Sequence, residues 1–102
     1  MRIFALFNLK PGVTPEAYLK WARETDLPTA NALPSIDSFR VFRTTGQLGS
    51  DSPAPYSFIE VIDVIDMDRF GEDVTTAAMQ AVAARFQELA DVVFLTTEEI
   101  IA

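Results

Sequence analysis

The sequence predicts an α+β domain with the element order β-α-β-β-α-β, and three observations carry that prediction. The chain has 102 residues, 49% of them apolar, which is enough for one domain (residues 1–102) and too few for two. Two segments, Arg2–Leu9 and residues 56–65, are apolar on both faces of a two-residue period, the pattern of strands covered on both sides. Two others, residues 15–25 and 77–90, repeat apolar residues at helical spacing just after a threonine that can cap a helix.

Taken in order, the first strand reads Phe4 and Leu6 on one face and Ile3, Ala5, Phe7 and Leu9 on the other. Lys10-Pro11-Gly12 turns the chain. Thr14 is the expected N-cap of the first helix, Pro15 its first residue and Glu16 an acid at the favourable end of the dipole. Val13 and Tyr18 are spaced as a hydrophobic staple. Asp26-Leu27-Pro28 is expected to break this helix, with Asp26 capping a short second turn over residues 30–33. A second strand follows over residues 36–44, a Gly-, Ser- and Pro-rich loop over 46–55, and the third strand over 56–65. A brief helical turn from Asp66 is expected to stop at Gly71, with Asp63 or Asp66 capping it. Thr75 or Thr76 caps the long helix at 77–90, and the last strand spans 92–97, with the tail 98–102 able to extend it.

This order is the ferredoxin-like split βαβ unit: a four-stranded antiparallel sheet with two helices on one face. Its central strands are the first and third, the two that are apolar on both faces here. The helices cover only one of those faces, and the chain has nothing left for the other, so a second copy packed sheet to sheet, a homodimer, is expected.

Composition excludes a good deal. The chain has no cysteine and no histidine, which removes disulfides, thiolate and imidazole metal sites and the usual general base. We expect no metal and no cofactor. The net charge of −7 argues against nucleic acid and anionic membranes as partners. No targeting signal and no transmembrane segment is visible, and a cytoplasmic location is the simplest expectation. Asp63, Asp66, Asp68, Glu72 and Asp73 lack the spacing of a calcium loop and read as a solvated acidic edge.

Several segments resemble the REDY-like protein HapK family. They are the opening Met1-Arg2-Ile3-Phe4-Ala5-Leu6-Phe7-Asn8-Leu9-Lys10-Pro11-Gly12, Leu48-Gly49-Ser50-Asp51, the run 55–63, Asp66-Met67-Asp68-Arg69-Phe70-Gly71 and Met79-Gln80-Ala81-Val82-Ala83-Ala84. The resemblance spans essentially the whole chain. It implies a dimeric α/β barrel, two ferredoxin-like sheets facing each other with helices outside, and an association with the making of red tripyrrole pigments (prodiginines). Enzymes of the wider group include cofactor-free monooxygenases, cyclases and isomerases, with sites between sheet and helices. Several place a histidine near the start of the second long helix. The comparable stretch here, Thr75-Thr76-Ala77-Ala78-Met79, has none.

The candidate site residues follow. Glu60 falls in the middle of a central strand, where a carboxylate is costly unless paired. If the second and third strands pair about Ser50, Arg40 faces Glu60, Phe42 faces Phe58 and Val41 faces Ile59. Glu60 is then a structural partner of Arg40, or else a pocket acid/base with a raised pKa. Tyr56 can offer a hydroxyl to the same pocket or stand in solvent. Tyr18, Trp21, Met79 and Phe86 form an aromatic and apolar stripe that packs the core and can also line a ligand cavity. Asn8 can orient a substrate carbonyl or bond to nearby backbone. Two functions stay open. One is a cofactor-free cyclase, isomerase or monooxygenase acting on a hydrophobic aromatic or pyrrole-like intermediate. The other is a non-catalytic accessory protein that binds or shields such an intermediate or a partner enzyme. A pocket with a convergent polar group would favour the first.

Overall fold

The computed structural model describes all 102 residues. Its strands are β1 (Arg2–Leu9), β2 (Ile36–Arg43), β3 (Phe58–Val64) and β4 (Ala90–Thr96). They form one antiparallel sheet in the order β2-β3-β1-β4. The helices are α1 (Pro15–Trp21), α2 (Leu27–Asn31), α3 (Met67–Asp73) and α4 (Ala77–Leu89). The architecture is the ferredoxin-like βαββαβ fold, with β1 and β3 at the centre of the sheet. No helix is long and apolar enough to cross a membrane.

Local chemistry explains the joints. The turn after β1 closes with the Val13 N–H donating to the Lys10 carbonyl at 3.0 Å, and Gly12 takes φ +87°. Pro11 and Gly12 thus fill the two central positions that a type II turn reserves for them. The Thr14 hydroxyl accepts from the Ala17 N–H at 3.2 Å, that of Thr76 from the Met79 N–H at 3.3 Å, and the Asp66 carboxylate from the N–H groups of Asp68 and Arg69. Each closes an orphan donor at a helix start.

Four local expectations need correction. The first helix does not break at Asp26-Leu27-Pro28. Residues Ala22–Asp26 form a π-helical turn, in which the Leu27 N–H reaches back to the Ala22 carbonyl, and α2 continues from it. The wide turn absorbs a proline that an unbroken α-helix would reject. Asp26 does not cap α2, because its side chain makes no cap hydrogen bond and is buried. The short helix α3 runs through Gly71 to Asp73. Finally, β4 ends at Thr96 and the tail does not extend it.

The fifth correction is the register of the hairpin. Arg40 lies opposite Val61, Val41 opposite Glu60 and Phe42 opposite Ile59. This is a one-residue shift from the expected pairing, and such a shift exchanges the two faces of a strand. The observed register buries Phe39 against Ile62 and sends Arg40 to the other face, where it meets Asp63 at 3.9 Å. The expected one would have buried Arg40 and exposed Phe39. Arg40 and Glu60 are therefore on opposite faces, and no ion pair joins them.

The sheet separates two surfaces. Toward the helices, Phe7, Phe58, Tyr18, Phe86 and Leu89 pack as one buried cluster, and Ile3, Ile36, Phe39, Ile62 and Val64 as a second. Away from the helices stand Phe4, Leu6, Phe42, Ile59, Val61, Val93 and Leu95, with Phe42, Val93 and Leu95 left 46%, 38% and 43% exposed.

Candidate functional site

Glu60 occupies the centre of the sheet, on β3 between Ala5 of β1 and Val41 of β2. Its neighbours along the same face are Phe58 and Ile62, so the alternation of the strand aims the carboxyl at the helices. Ala5 beside it is fully buried. Asp26 comes to the same face of the sheet from the helix side, delivered by the π-helical turn at the end of α1. The side chain of Asn31 donates to the Phe39 carbonyl at 3.0 Å and accepts from the Phe39 N–H at 2.9 Å. That pair of bonds ties α2, and the turn before it, to the sheet edge at β2.

The two carboxyl groups meet in an apolar enclosure. Glu60 is 2% exposed and Asp26 is 5% exposed. The cavity they share measures about 190 Å³, and 12 of its 15 lining residues are apolar, Gln87 being the only polar one besides the two acids. Phe39, Glu60 and Ile62 come from β2 and β3, Phe94 from β4, Phe70 and Val74 from α3 and its end, and Met79, Val82 and Phe86 from α4.

No cation neutralises the pair. The ion pairs of the fold are Arg2–Asp63, Arg40–Asp63 and Arg85–Glu88, all at the surface. Burial accordingly pushes the Glu60 carboxyl up to about 9, with the nearby Asp26 charge and the hydrogen bond to Asp26 acting in the same direction. Burial also raises Asp26, to about 6, while the hydrogen bond from Glu60 opposes the rise. Two buried acids that face one another cannot both ionise cheaply, so burial favours a pair that retains a proton. Tyr18 is fully buried beneath them and its hydroxyl has no hydrogen-bond partner. Its ionisation is strongly suppressed, first by burial and then by the charges of Glu60 and Asp26.

The other candidates are dispersed. Met79 and Phe86 line the cavity. Tyr18 and Trp21 do not. Tyr18 sits in the aromatic cluster with its ring 4.9 Å from that of Phe58, and Trp21 stacks on the outer side of the cluster, 6.3 Å from Phe86 and nearly parallel to it. Tyr56 is half-buried at the mouth of the hairpin, outside the cavity, and its carbonyl accepts from the Thr44 hydroxyl at 2.7 Å. Asn8 clamps the long loop: its Nδ2 donates to the Pro55 carbonyl, and its Oδ1 accepts from the N–H and hydroxyl of Ser57. The acidic edge is divided among local duties. Arg2 hydrogen-bonds to Asp63 and holds its carboxyl below the usual carboxylate range. Asp66 caps α3, and Asp73 accepts from the Ser35 N–H at 3.1 Å. No group of three or more acids converges on a point that could hold a metal ion.

Asp26 is the candidate that sequence reasoning ranked too low. Proline two residues later made a cap the simplest reading. The usable signal was Asp26 eight residues after the buried Tyr18, a spacing that keeps both on one helical face.

The whole chain can be placed among known proteins. A family model described as REDY-like protein HapK matches residues 1–100. The chain belongs to the REDY-like protein HapK family. The crystal structure of HapK from Hahella chejuensis is 27% identical, with a TM-score of 0.78 over 100% of this chain and 95% of that one. The HapK-family fold extends to more distant structures. A DABB family protein with a ferredoxin-like fold from Mesorhizobium loti has a TM-score of 0.73 at 14% identity, over 97% of this chain and 95% of that one. SnoaB from Streptomyces nogalater, a cofactor-independent oxygenase, has a TM-score of 0.72 at 13% identity, over 98% of this chain and 93% of that one. At those identities the likeness is one of fold. No curated protein sequence is significantly similar to the chain.

Proposed function

We propose that this HapK-family chain is a cofactor-free catalyst of proton transfer on a small hydrophobic ring system of secondary metabolism, with Glu60 and Asp26 as its acid/base pair. The observation that carries the reading is a pair of buried carboxyls, Asp26 and Glu60, in the wall of an otherwise apolar cavity. Buried structural acids are normally neutralised by a cation or by backbone N–H groups, and these are not. A carboxylic acid kept protonated at neutral pH, beside a second carboxyl that can receive a proton, is the equipment for general acid–base catalysis. Dry walls strengthen the interaction of that pair with a bound polar atom.

The chemistry that suits the pair is isomerisation or ring closure. Glu60 gives its proton to a ring atom, the ring's electron pair forms the new bond to hydrogen, and the carboxylate pair removes a proton elsewhere on the ring. Nothing is oxidised and no co-reactant is consumed, so of the reactions open to this fold these two need only the residues present. Size narrows the substrate. At about 190 Å³ the cavity is below the roughly 300–1,000 Å³ of sites that enclose drug-sized ligands. It suits one or two rings and is too small for a complete tripyrrole pigment. The site works within a homodimer in this reading, because the apolar outer face of the sheet is of the kind a second copy covers.

A direct test uses 2,2′-bipyrrole in deuterated buffer, with ring C–H exchange followed by proton NMR. We expect exchange to be accelerated by the wild-type chain, and E60Q to lower the rate by roughly 100-fold or more, the usual share of one general acid. Binding of bipyrrole without any acceleration would point instead to the accessory role of holding or shielding an intermediate.

A further inference from the structure

We propose that the ligand this cavity prefers is a flat organic cation, an aromatic ring system carrying its positive charge on N–H groups. The inference rests on the functional reading above and adds the charge and shape of what is bound. The Asp26–Glu60 pair stands without a counter-charge: no lysine or arginine lines the cavity, and every ion pair of the fold lies at the surface. Both acids are buried in apolar surroundings with no cation facing them, and a carboxylate there is strongly disfavoured unless it is paired. The protein supplies no partner for it, so a cationic ligand is the missing partner.

Three further features fix the class. Phe39, Phe70, Phe86 and Phe94 border the cavity, and aromatic faces attract cations. Phe94 is 55% exposed on edge strand β4, so one ring of this set is open to solvent. The net charge of −7 attracts cations to the molecule and repels anions. A divalent metal ion is a poor occupant, since only two acids and one amide face the space and a hard cation takes six or more oxygens. A planar amidinium-like fork, by contrast, presents two N–H donors to two carboxyl groups. The titratable groups facing the charge are Asp26 and Glu60 themselves, from the π-helical turn and β3, with Tyr18 of α1 beneath. The walls from β2, α3, α4 and β4 contribute none.

Three probes of similar shape and different charge decide the matter: benzamidine (cationic), benzamide (neutral) and benzoate (anionic). Binding is read by calorimetry and by the fluorescence of Trp21, the only tryptophan, which stacks on the cavity residue Phe86. We expect benzamidine to bind about tenfold or more tightly than benzamide, and benzoate to bind least. D26N and E60Q should each bring benzamidine to within about threefold of benzamide. Equal binding of benzamide, tightest binding of benzoate, or a cation preference unchanged in D26N would overturn the inference. If E60Q does not fold, the wild-type comparison and D26N decide it. Exchange on bipyrrole without a preference for benzamidine would sink the cation inference and leave the acid/base reading standing. A preference for benzamidine with no exchange would do the reverse.

Discussion

Glu60 is a side chain whose burial without a cation works against the stability of the fold. In the folded chain it holds its proton up to about 9, against an ordinary value of 4.5. The folded state therefore binds this proton more tightly than the unfolded state does, and the sign of the linkage follows. The contribution is complete below about pH 4.5 and is lost as pH rises toward 9. Between the Asp26 value of about 6 and the Glu60 value of about 9, stability should fall by about 1.4 kcal/mol per pH unit from this one proton. Urea denaturation at several pH values in that window checks it: the slope should flatten in E60Q, and parallel slopes for the two proteins would mean that Glu60 is already ionised in the fold. Tyr18 gives a second prediction. Its buried hydroxyl has no partner, so Tyr18→Phe removes an unsatisfied group and not a bond. We expect its stability to be unchanged or higher by up to about 2 kcal/mol. A loss of 1 kcal/mol or so would indicate that the hydroxyl is bonded.

At the level of elements, the hairpin register decides what Glu60 is. The 14-residue connection between β2 and β3 imposes no register of its own, unlike a two-residue turn. Burial of Phe39 decides it, and Arg40 ends up on the outer face with a side chain 52% exposed. Arg40→Ala should then change stability by less than about 1 kcal/mol, the scale of a surface pair, and not by the roughly 3–5 kcal/mol expected for a broken buried one. Thermal denaturation with the usual two-state controls separates these. The strands, the caps at Thr14, Asp66 and Thr76, and the βαββαβ order were legible because each rests on local periodicity or on a residue next to its target. The register was not, because one-residue alternatives differ only in which face of β2 is buried, and Arg40 opposite Glu60 made an attractive but wrong pair. The π-helical turn was not legible either, since Pro28 marks a helix stop unless the turn before it is widened. Asp26, read as a cap before that proline, was ranked too low with it.

For the molecule as a whole, the sheet has an apolar face on each side and helices over only one. Phe42, Val93 and Leu95 are too exposed on the outer face for a chain meant to stay alone. We expect sedimentation equilibrium at micromolar concentration to give twice the 11.3 kDa chain mass. Leu95→Asp, which puts a charge into that face, should shift the particle toward the monomer without unfolding it. A wild-type chain that sediments as a monomer would require some other cover for this surface. On the reading proposed above, the two faces take different tasks, assembly on one and the carboxyl cavity on the other.

If Glu60 and Asp26 hold a proton between them at neutral pH inside the apolar cavity, carbon-13 NMR of the side-chain carboxyls will show it. With glutamate and aspartate labelled, and E60Q and D26N used for assignment, the Glu60 carboxyl carbon should keep the chemical shift of the protonated acid at pH 7 and titrate only toward about 9. A Glu60 signal that titrates below pH 5, like that of a solvated glutamate, would mean that the buried pair holds no proton at neutral pH.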